Sequence, residues 1–278
     1  MPTAFELLKS YRLSPLKRYG QSFLINEQIL HAIVAAGCLR RDDVVLEIGP
    51  GLGAMTHLLA DCVDRLTAVE IDKKLIPLLQ DVFAGRENVA IVHGDVLSCD
   101  FSSFSSAQKI KVMGNIPYNI TSEILFRLLK FRRHINMAVL LIQQEVAERL
   151  TARPGTKAYG IPTVLLGMYA RIEKLFDVAN HNFHPVPAVQ SALVRLTFHD
   201  DPAYEVDDEA FFSSLVRAAF AHRRKTLLNN LKSFTRINLS GEEVQNILGK
   251  IDIDGARRAE TLTIFEFAKL SNALVQGI

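Results

Sequence analysis

The fold of this chain is decided by one stretch of sequence, Val44-Val45-Leu46-Glu47-Ile48-Gly49-Pro50-Gly51-Leu52-Gly53-Ala54. It begins as an apolar, β-branched run, continues through three glycines at alternate positions, and then opens a segment with helical spacing. A strand that ends in a glycine-rich turn and leads into a helix is typical of a doubly wound sheet, in which the turn lies against a nucleotide-type ligand. We therefore expect an open, mostly parallel sheet with a ligand at the end of this strand.

Short β-branched runs alternate with helical segments from Asp43 to about Phe198, as in a parallel sheet flanked by helices. The predicted strands lie at 44–46, 66–69, 89–92, 111–113, 138–142, 171–175 and 192–198. Beyond His199-Asp200-Asp201-Pro202 the strand signals end, and two capping boxes, Ser240-x-x-Glu243 and Thr263-x-x-Glu266, open helices. We predict an α/β domain over residues 1–200 and a small α-helical domain over residues 201–278.

The composition excludes several classes of protein. Of the 278 residues, 49% are apolar and 22% are charged, which supports a folded core and rules out a disordered chain. The longest aliphatic run, Met137 to Ile142, is much shorter than the roughly 20 residues of a membrane helix. Three widely spaced cysteines without a Cys-x-x-Cys pair indicate neither disulfides nor a metal site. We expect a soluble, cytoplasmic protein that uses no metal.

The carboxylate that precedes the glycine turn restricts the ligand. The turn also satisfies the dinucleotide fingerprint if Ala54 stands for the third glycine, so a nicotinamide-dependent oxidoreductase is one interpretation. A pyrophosphate beside Glu47, however, would add like-charge repulsion in a poorly hydrated pocket. Glu47 favours a ligand with positive charge and no phosphate, such as the sulfonium and amino groups of S-adenosylmethionine.

Two further acids follow the next two predicted strands. Glu70 stands where a carboxylate can accept hydrogen bonds from both hydroxyls of a ribose, and Asp95 could accept one from an adenine amino group. The alternative is that each is a helix N-cap or a solvated loop acid. Because the carboxyl ends of parallel strands meet at one edge of a sheet, we favour a shared binding role with the glycine turn.

The segment Asn115-Ile116-Pro117-Tyr118 ends the fourth strand and suggests the chemistry. The amino group of a nucleobase is a poor nucleophile because its lone pair is delocalised into the ring. Two acceptors, the amide oxygen of Asn115 and the carbonyl of Ile116, would favour a pyramidal nitrogen and free that lone pair. Pro117 fixes the local φ, and Tyr118 offers a face on which the base can stack. An ordinary loop with a proline stop is the alternative.

Several further motifs occur in a fixed order along the chain. They are Gly20-Gln21-Ser22-Phe23-Leu24, Glu70-Ile71-Asp72, Gly94-Asp95, Gln143-Gln144-Glu145-Val146, Lys157-Ala158-Tyr159-Gly160, Phe183-His184-Pro185-Val186-Pro187, Ser191-Ala192 and Arg223-Arg224-Lys225-Thr226-Leu227. With the glycine turn and the Asn-Ile-Pro-Tyr loop, they make the chain resemble the small-subunit ribosomal RNA adenine N6,N6-dimethyltransferases, the bacterial family whose loss gives kasugamycin resistance. The resemblance runs from about Tyr19 to Phe267.

This resemblance implies a Rossmann-like, S-adenosylmethionine-dependent methyltransferase sheet with a small C-terminal helical domain. It implies four methyl transfers, two on each of two adjacent adenines in the 3′-terminal hairpin of small-subunit rRNA, with S-adenosylhomocysteine as the product. The implied cofactor-binding residues are Ser22, Leu24, Gly49, Gly51, Glu70, Asp95 and Asn115, and the implied catalytic residues are Asn115, Ile116, Pro117 and Tyr118. Ser22 replaces the usual Asn and Ile116 the usual Leu, while Ala188 and Gln190 stand where Lys and Asp are common.

The net charge of +2 does not by itself indicate a nucleic-acid partner. Arg223-Arg224-Lys225 is the predicted RNA-binding cluster, although an isolated run of this kind is more often a solvated helix face. With the resemblance, we expect a monomer that acts on small-subunit rRNA within a pre-ribosomal small subunit. Two alternatives stay open: a large-subunit rRNA adenine dimethyltransferase that confers macrolide resistance, and a non-catalytic ribosome-assembly or RNA-binding factor on the same fold.

Overall fold

A computed structural model of the chain describes residues 4–105, 108–237 and 239–277. The strands there are β1 (Phe23–Leu24), β2 (Val44–Ile48), β3 (Arg65–Glu70), β4 (Val89–His93), β5 (Ile110–Asn115), β6 (Ile135–Gln143), β7 (Ala170–Val178), β8 (Phe183–His184) and β9 (Ser191–Phe198). The α-helices there are α1 (Ala4–Ser10), α2 (Glu27–Ala36), α3 (Ala54–Cys62), α4 (Ile76–Phe83), α5 (Thr121–Lys130), α6 (Gln144–Leu150), α7 (Ile161–Gly167), α8 (Glu209–Ala219), α9 (Leu227–Leu231), α10 (Gly241–Lys250) and α11 (Ile264–Gln276). Each strand predicted from the sequence is confirmed, and each is longer than predicted.

The main sheet has the strand order β4-β3-β2-β5-β6-β9-β7. The pairs from β4 through β6 are parallel, and β9 runs antiparallel to β6. From β2 the chain builds the sheet outward through β3 and β4, and then returns to the other side of β2 with β5. The order therefore reverses between β2 and β5, where an open α/β sheet forms its ligand crevice. This confirms the predicted doubly wound, mostly parallel architecture.

Strand β2 lies in the interior of the sheet between β3 and β5, and all of its residues are buried. Such burial on both faces explains why its sequence is a nearly continuous apolar run rather than an alternating one. Helices α2 and α3 cover the sheet with apolar side chains, among them Ile33 of α2 and Leu59 of α3. Helix α1 belongs to another apolar cluster, in which Leu7 packs with Phe23 of β1 and Leu78 of α4.

The chain forms two compact units. The first comprises Met1–Ala147 and Glu173–Phe198, and the second comprises Glu148–Ile172 and His199–Ile278. The first unit ends close to the predicted boundary at residue 200, but residues 148–172, which the sequence division gave to the α/β domain, belong to the second unit. The reason is packing within that unit: α7 packs against α8, and the Gly155 N–H donates to the Glu260 carbonyl at 2.7 Å.

The second unit is helical beyond Phe198 in the residues that the structure describes. Both predicted capping boxes are confirmed: Ser240 Oγ accepts from the Glu243 N–H at 3.2 Å, and Thr263 Oγ1 accepts from the Glu266 N–H at 3.1 Å. Helix α8 buries one apolar stripe, which includes Phe212 and Leu215. In neither unit does a described helix combine the length and apolarity needed to cross a membrane.

Candidate active site

The glycine turn after β2 has left-handed backbone at three positions. The φ angles are 67° at Gly49, 58° at Gly51 and 84° at Gly53, a region that other residues rarely adopt. The glycines of this turn also differ in the free space around them. A Cβ at Gly53 would lie 2.8 Å from Phe83 Cε2, whereas one at Gly49 would meet nothing within 4 Å. Gly53 therefore allows α3 to pack closely, and Gly49 leaves room for a ligand.

Two cavities adjoin this turn at the switch point. The larger has a volume of about 460 Å³, and its lining includes the predicted residues Leu24, Gly49, Gly51 and Asn115, together with Glu47 and apolar side chains of α2 and α3. The smaller, of about 70 Å³, is lined among others by Ser22, Gly49, Gly51, Glu70, Asn115, Ile116, Pro117 and Tyr118. The structure thus brings together every predicted cofactor-binding and catalytic residue except Asp95, which lines neither cavity.

Glu47 is completely buried beside the larger cavity, and neither of its carboxylate oxygens has a hydrogen-bond partner in the described residues. Burial raises the pKa of Glu47 to about 8; the nearby Thr56 hydroxyl acts against this rise, although it forms no hydrogen bond of normal geometry, and the charge of Glu70 adds to it. An unpaired buried carboxyl is costly unless a partner arrives. The positively charged sulfonium and ammonium groups of S-adenosylmethionine would be suitable partners for Glu47, whereas a negatively charged pyrophosphate would not.

Glu70 is also buried, with 4% of its surface exposed, but it has partners. Its Oε1 accepts from the Asp72 N–H at 2.8 Å and its Oε2 from the Gly51 N–H at 3.2 Å. Burial raises the pKa of Glu70, while these two N–H groups oppose the shift. Since a carboxylate oxygen has two lone pairs, each Glu70 oxygen can accept one further hydrogen bond, for example from a ribose hydroxyl.

Asp95 follows β4 at the same sheet edge, but its side chain is exposed. Its Oδ1 accepts from the Leu97 N–H at 2.9 Å. This local contact is the one that the loop-acid interpretation predicts, and it leaves the second oxygen available to a ligand. The structure therefore supports a binding role for Asp95 less directly than for Glu70.

The Asn-Ile-Pro-Tyr loop is held by long-range contacts. Asn115 Nδ2 donates to the Ser22 carbonyl at 2.9 Å. This bond orients the amide so that its Oδ1 faces away from Ser22 and can accept a hydrogen bond from another group. The Ile116 N–H donates to the Leu141 carbonyl at 2.9 Å. The hydroxyls of Tyr118 and Ser191 lie 2.7 Å apart, and burial raises the pKa of Tyr118, which keeps the phenol neutral. Tyr118 is therefore suited to stacking rather than to proton abstraction.

Sequence reasoning missed the partners of these residues. Ser22, through its backbone carbonyl, and Ser191, through its hydroxyl, join segments more than seventy positions apart. Ser22 is itself fixed, since its Oγ donates to the Pro185 carbonyl at 2.7 Å and β1 pairs antiparallel with β8. The only sequence signal for them was that both lie inside motifs of the resembled family.

The predicted RNA-binding cluster lies between α8 and α9 of the second unit. Arg223 Nη2 donates to Glu260 Oε2 at 2.9 Å and also to the Lys157 carbonyl. Arg224 and Lys225 are exposed, and among the described residues neither forms an ion pair. The three cations are therefore not equivalent.

As to metals, the parts of the chain that the structure describes contain no group of three His, Cys, Asp or Glu side chains that could hold one.

The doubly wound sheet, with its glycine turn beside the buried Glu47 at the switch point, has the architecture of a Rossmann-like methyltransferase. More narrowly, the chain belongs to the ribosomal RNA adenine dimethylase family, whose model matches residues 14–270. The resemblance seen in the sequence is thereby confirmed, and the protein is a methyltransferase that modifies ribosomal RNA. Membership in this family supports the use of S-adenosylmethionine.

Individual relatives support the same family assignment. The chain is 44% identical over 272 residues to the ribosomal RNA small subunit methyltransferase A of Syntrophus aciditrophicus, covering 97% of both chains. It is 42% identical over 274 residues to that of Myxococcus xanthus, covering 99% of this chain and 96% of the relative. Among solved structures it resembles a dimethyladenosine transferase from Plasmodium falciparum, with a TM-score of 0.75, 26% identity and coverage of 92% and 98%. The 23S rRNA methyltransferase ErmE has a TM-score of 0.71, 27% identity and coverage of 91% and 100%.

Two glycine substitutions separate packing from ligand space. Gly53→Ala should destabilise the fold by about 2 to 3 kcal/mol, because it adds a clash with Phe83 to backbone strain. Gly49→Ala should cost only the strain, about 1 to 2 kcal/mol, but should weaken S-adenosylmethionine binding at least tenfold. Urea unfolding and titration calorimetry measure the two effects. Wild-type cofactor affinity in Gly49→Ala would contradict the assignment of that space.

Glu47 should make both stability and cofactor binding depend on pH. Its pKa is raised from 4.5 to about 8 by folding, so its stabilising contribution is present below pH 4.5 and is lost as the pH rises towards 8. Glu47→Gln should therefore gain stability relative to the wild type over that interval. Cofactor affinity of the wild type should rise by up to about tenfold per pH unit below 8 as Glu47 ionises, whereas Glu47→Gln should bind weakly without this dependence.

Thermal unfolding and calorimetry from pH 5 to 9 measure both effects of the Glu47 substitution. The exposed Glu87 provides a matched control, since Glu87→Gln makes the same chemical change without burial. Parallel pH profiles for the wild type and Glu47→Gln would refute the proposed linkage.

Proposed function

We propose that this protein dimethylates N6 of two adjacent adenines in the 3′-terminal hairpin of small-subunit rRNA. The observation that carries the proposal is the orientation of Asn115, whose amide is held by the Ser22 carbonyl and which lines the same cavity as Glu47. The relatives at 44% and 42% identity are small-subunit enzymes, whereas the large-subunit enzyme ErmE is 27% identical. These identities support the small subunit over the large one.

The cofactor would lie along the carboxyl edge of β2, β3 and β4. S-adenosylmethionine supplies an electrophilic methyl group on a cationic sulfur. In the proposed arrangement, Glu47 faces the cationic end, Glu70 accepts from the ribose hydroxyls and Asp95 from the adenine amino group. Ser22, Leu24, Gly49 and Gly51 complete the lining.

The target adenine would be flipped out of its helix to reach Asn115. Asn115 Oδ1 and the Ile116 carbonyl accept its two N–H groups, and the Tyr118 ring stacks on the base. Both acceptors are neutral, and together they favour a pyramidal nitrogen with an available lone pair. As the N–C bond would form and the S–C bond break, S-adenosylhomocysteine would leave. No strong base is required before attack, because the nitrogen is cationic once it carries the methyl group and loses its proton to water. Most of the rate enhancement would then come from alignment of nitrogen, carbon and sulfur.

The helical unit would bind RNA phosphates. Arg224 and Lys225 are the exposed cations of the predicted cluster, while Arg223 contributes mainly to the ion pair with Glu260. We infer that the substrate is rRNA within a pre-ribosomal small subunit and that the enzyme acts as a monomer in the cytoplasm. A purely non-catalytic assembly factor would have no need for the buried Glu47 or the fixed amide of Asn115.

Transfer of labelled methyl groups tests the proposed activity. Unmethylated small ribosomal subunits, and separately large-subunit RNA, are incubated with S-adenosylmethionine, and the products are mapped by mass. We expect dimethyladenine at two adjacent positions of small-subunit RNA, and a loss of about 100-fold or more in Asn115→Ala because an acceptor aimed at the reacting nitrogen is removed. Product on large-subunit RNA would select the resistance enzyme, and RNA binding without transfer would select the assembly factor.

If the basic cluster binds RNA phosphates, its contribution to RNA affinity should depend on salt concentration. Replacing Arg224 and Lys225 together by Ala should weaken RNA binding most at low salt and lower the slope of log K against log [salt] by about 2. The exposed Lys250 and Lys269 give a control with the same change in charge on the same unit. Equal slopes in both double variants would show that the cluster is an ordinary solvated surface and does not bind RNA.

A further inference from the structure

Residues 16–22, which we call the strap, precede β1 and are held by one glutamine. Gln21 is half-buried and uses both ends of its amide. Its Oε1 accepts from the Leu16 N–H at 2.7 Å, which closes the strap on itself, and its Nε2 donates to Asp72 Oδ2 at 2.9 Å. A glutamate could not make the second bond and would repel Asp72, so the site requires a side chain that both accepts and donates.

Asp72 joins the strap to the proposed ribose site. It is 4% exposed, and its other oxygen accepts from the Lys74 N–H at 3.1 Å. Its own N–H donates to Glu70 Oε1 at 2.8 Å. Gln21 is therefore linked to the Glu70 carboxylate through the side chain and backbone of one buried residue.

The strap also lies against the Asn-Ile-Pro-Tyr loop, which carries the two proposed hydrogen-bond acceptors for the base. The residue after Gln21 is Ser22, whose carbonyl orients the amide of Asn115. The residue before it is Gly20, with φ of 60°, where a Cβ would lie 2.9 Å from Asn119 Oδ1 and 3.4 Å from Pro117 Cβ. Two neighbours of Gln21 thus contact the loop closely, while Gln21 itself turns towards Asp72.

We propose that Gln21 is a positioning residue for methyl transfer: through Asp72 it holds the strap in register with Glu70, so that Asn115 is oriented relative to the bound cofactor. This inference rests on the proposed function of the site. Glu70, the proposed ribose acceptor, and Asn115, the proposed base acceptor, lie on different strands. The strap bonds directly to Asn115 through the Ser22 carbonyl and reaches Glu70 through Asp72. Because a displacement of about 1 Å can cost about 100-fold in rate, such a tie has a kinetic effect without touching either reactant.

Single-turnover kinetics test this role. Gln21→Ala should lower the methyl-transfer rate by about 10- to 100-fold while the Kd values for S-adenosylmethionine and RNA change less than about threefold; Gln21→Glu should behave likewise. The exposed Gln28 of α2 provides the control, and Gln28→Ala should keep the wild-type rate. An unchanged rate in Gln21→Ala, or a loss that lies wholly in cofactor or RNA affinity, would overturn the proposal.

A double-mutant cycle separates positioning from mere stability. If Gln21 acts through Asn115, adding Gln21→Ala to Asn115→Ala should reduce the residual rate less than about twofold. The same fold-loss in both backgrounds would mean that Gln21 acts independently of the amide, which contradicts the inference.

A spectroscopic readout keeps this inference distinct from the proposed RNA substrate. In the wild type, adding S-adenosylmethionine should shift the side-chain amide signals of Asn115, which are assigned by their absence in Asn115→Ala; in Gln21→Ala at saturating cofactor the bound-state signals should differ or broaden. Identical bound-state signals would overturn the positioning role whatever the substrate is. Failure of the wild type to methylate small-subunit RNA would overturn the proposed function alone.

Discussion

The site depends on one backbone pairing, the parallel register of β2 and β5 that sets Ile48 beside Gly114. The strands meet so closely there that a Cβ on Gly114 would lie 3.0 Å from the Ile48 carbonyl. One residue beyond each partner stand Gly49 and Asn115, the start of the glycine turn and the base of the acceptor loop. Because Gly49 directly follows β2 and Asn115 ends β5, the pairing of these two adjacent strands sets the separation of the two residues. In the proposed arrangement, the sheet itself therefore brings cofactor and target base together.

Glu47 shows what this arrangement costs. Among the described residues the Glu47 carboxyl has no hydrogen-bond partner, which destabilises the ligand-free protein, and a neutral apolar residue would pack there more favourably. The same isolation strengthens its attraction to a cationic ligand, since none of the described groups competes for its lone pairs and its burial limits screening by water. Glu70, also buried, differs because backbone N–H groups of Gly51 and Asp72 already compensate it. Glu47 is thus suited to attract a cationic group, and Glu70 presents two oxygens whose positions are fixed by hydrogen bonds.

Local sequence carried the information for the strands, the glycine turn and the Asn-Ile-Pro-Tyr loop, because periodicity and turn chemistry act over a few residues. The assignment of residues 148–172 failed because that segment lies between two strands of the sheet in sequence, and only packing such as that of α7 against α8 shows where it belongs. The bonds of Ser22 to Asn115, Gln21 to Asp72 and Arg223 to Glu260 join distant segments. Composition and spacing contain no signal for such pairs.

The two proposed acceptors also bear on how a single site can transfer two methyl groups to one nitrogen. An unmodified amino group has two N–H groups and can engage Asn115 Oδ1 and the Ile116 carbonyl together. After the first transfer only one N–H remains, so one acceptor must be left facing a methyl group. A charged acceptor in that position would be costly to strip of its partner, whereas a neutral amide or carbonyl oxygen loses only an ordinary hydrogen bond. Neutral acceptors, with their orientation fixed from behind by Ser22 and the strap, therefore suit a reaction that repeats on its own product.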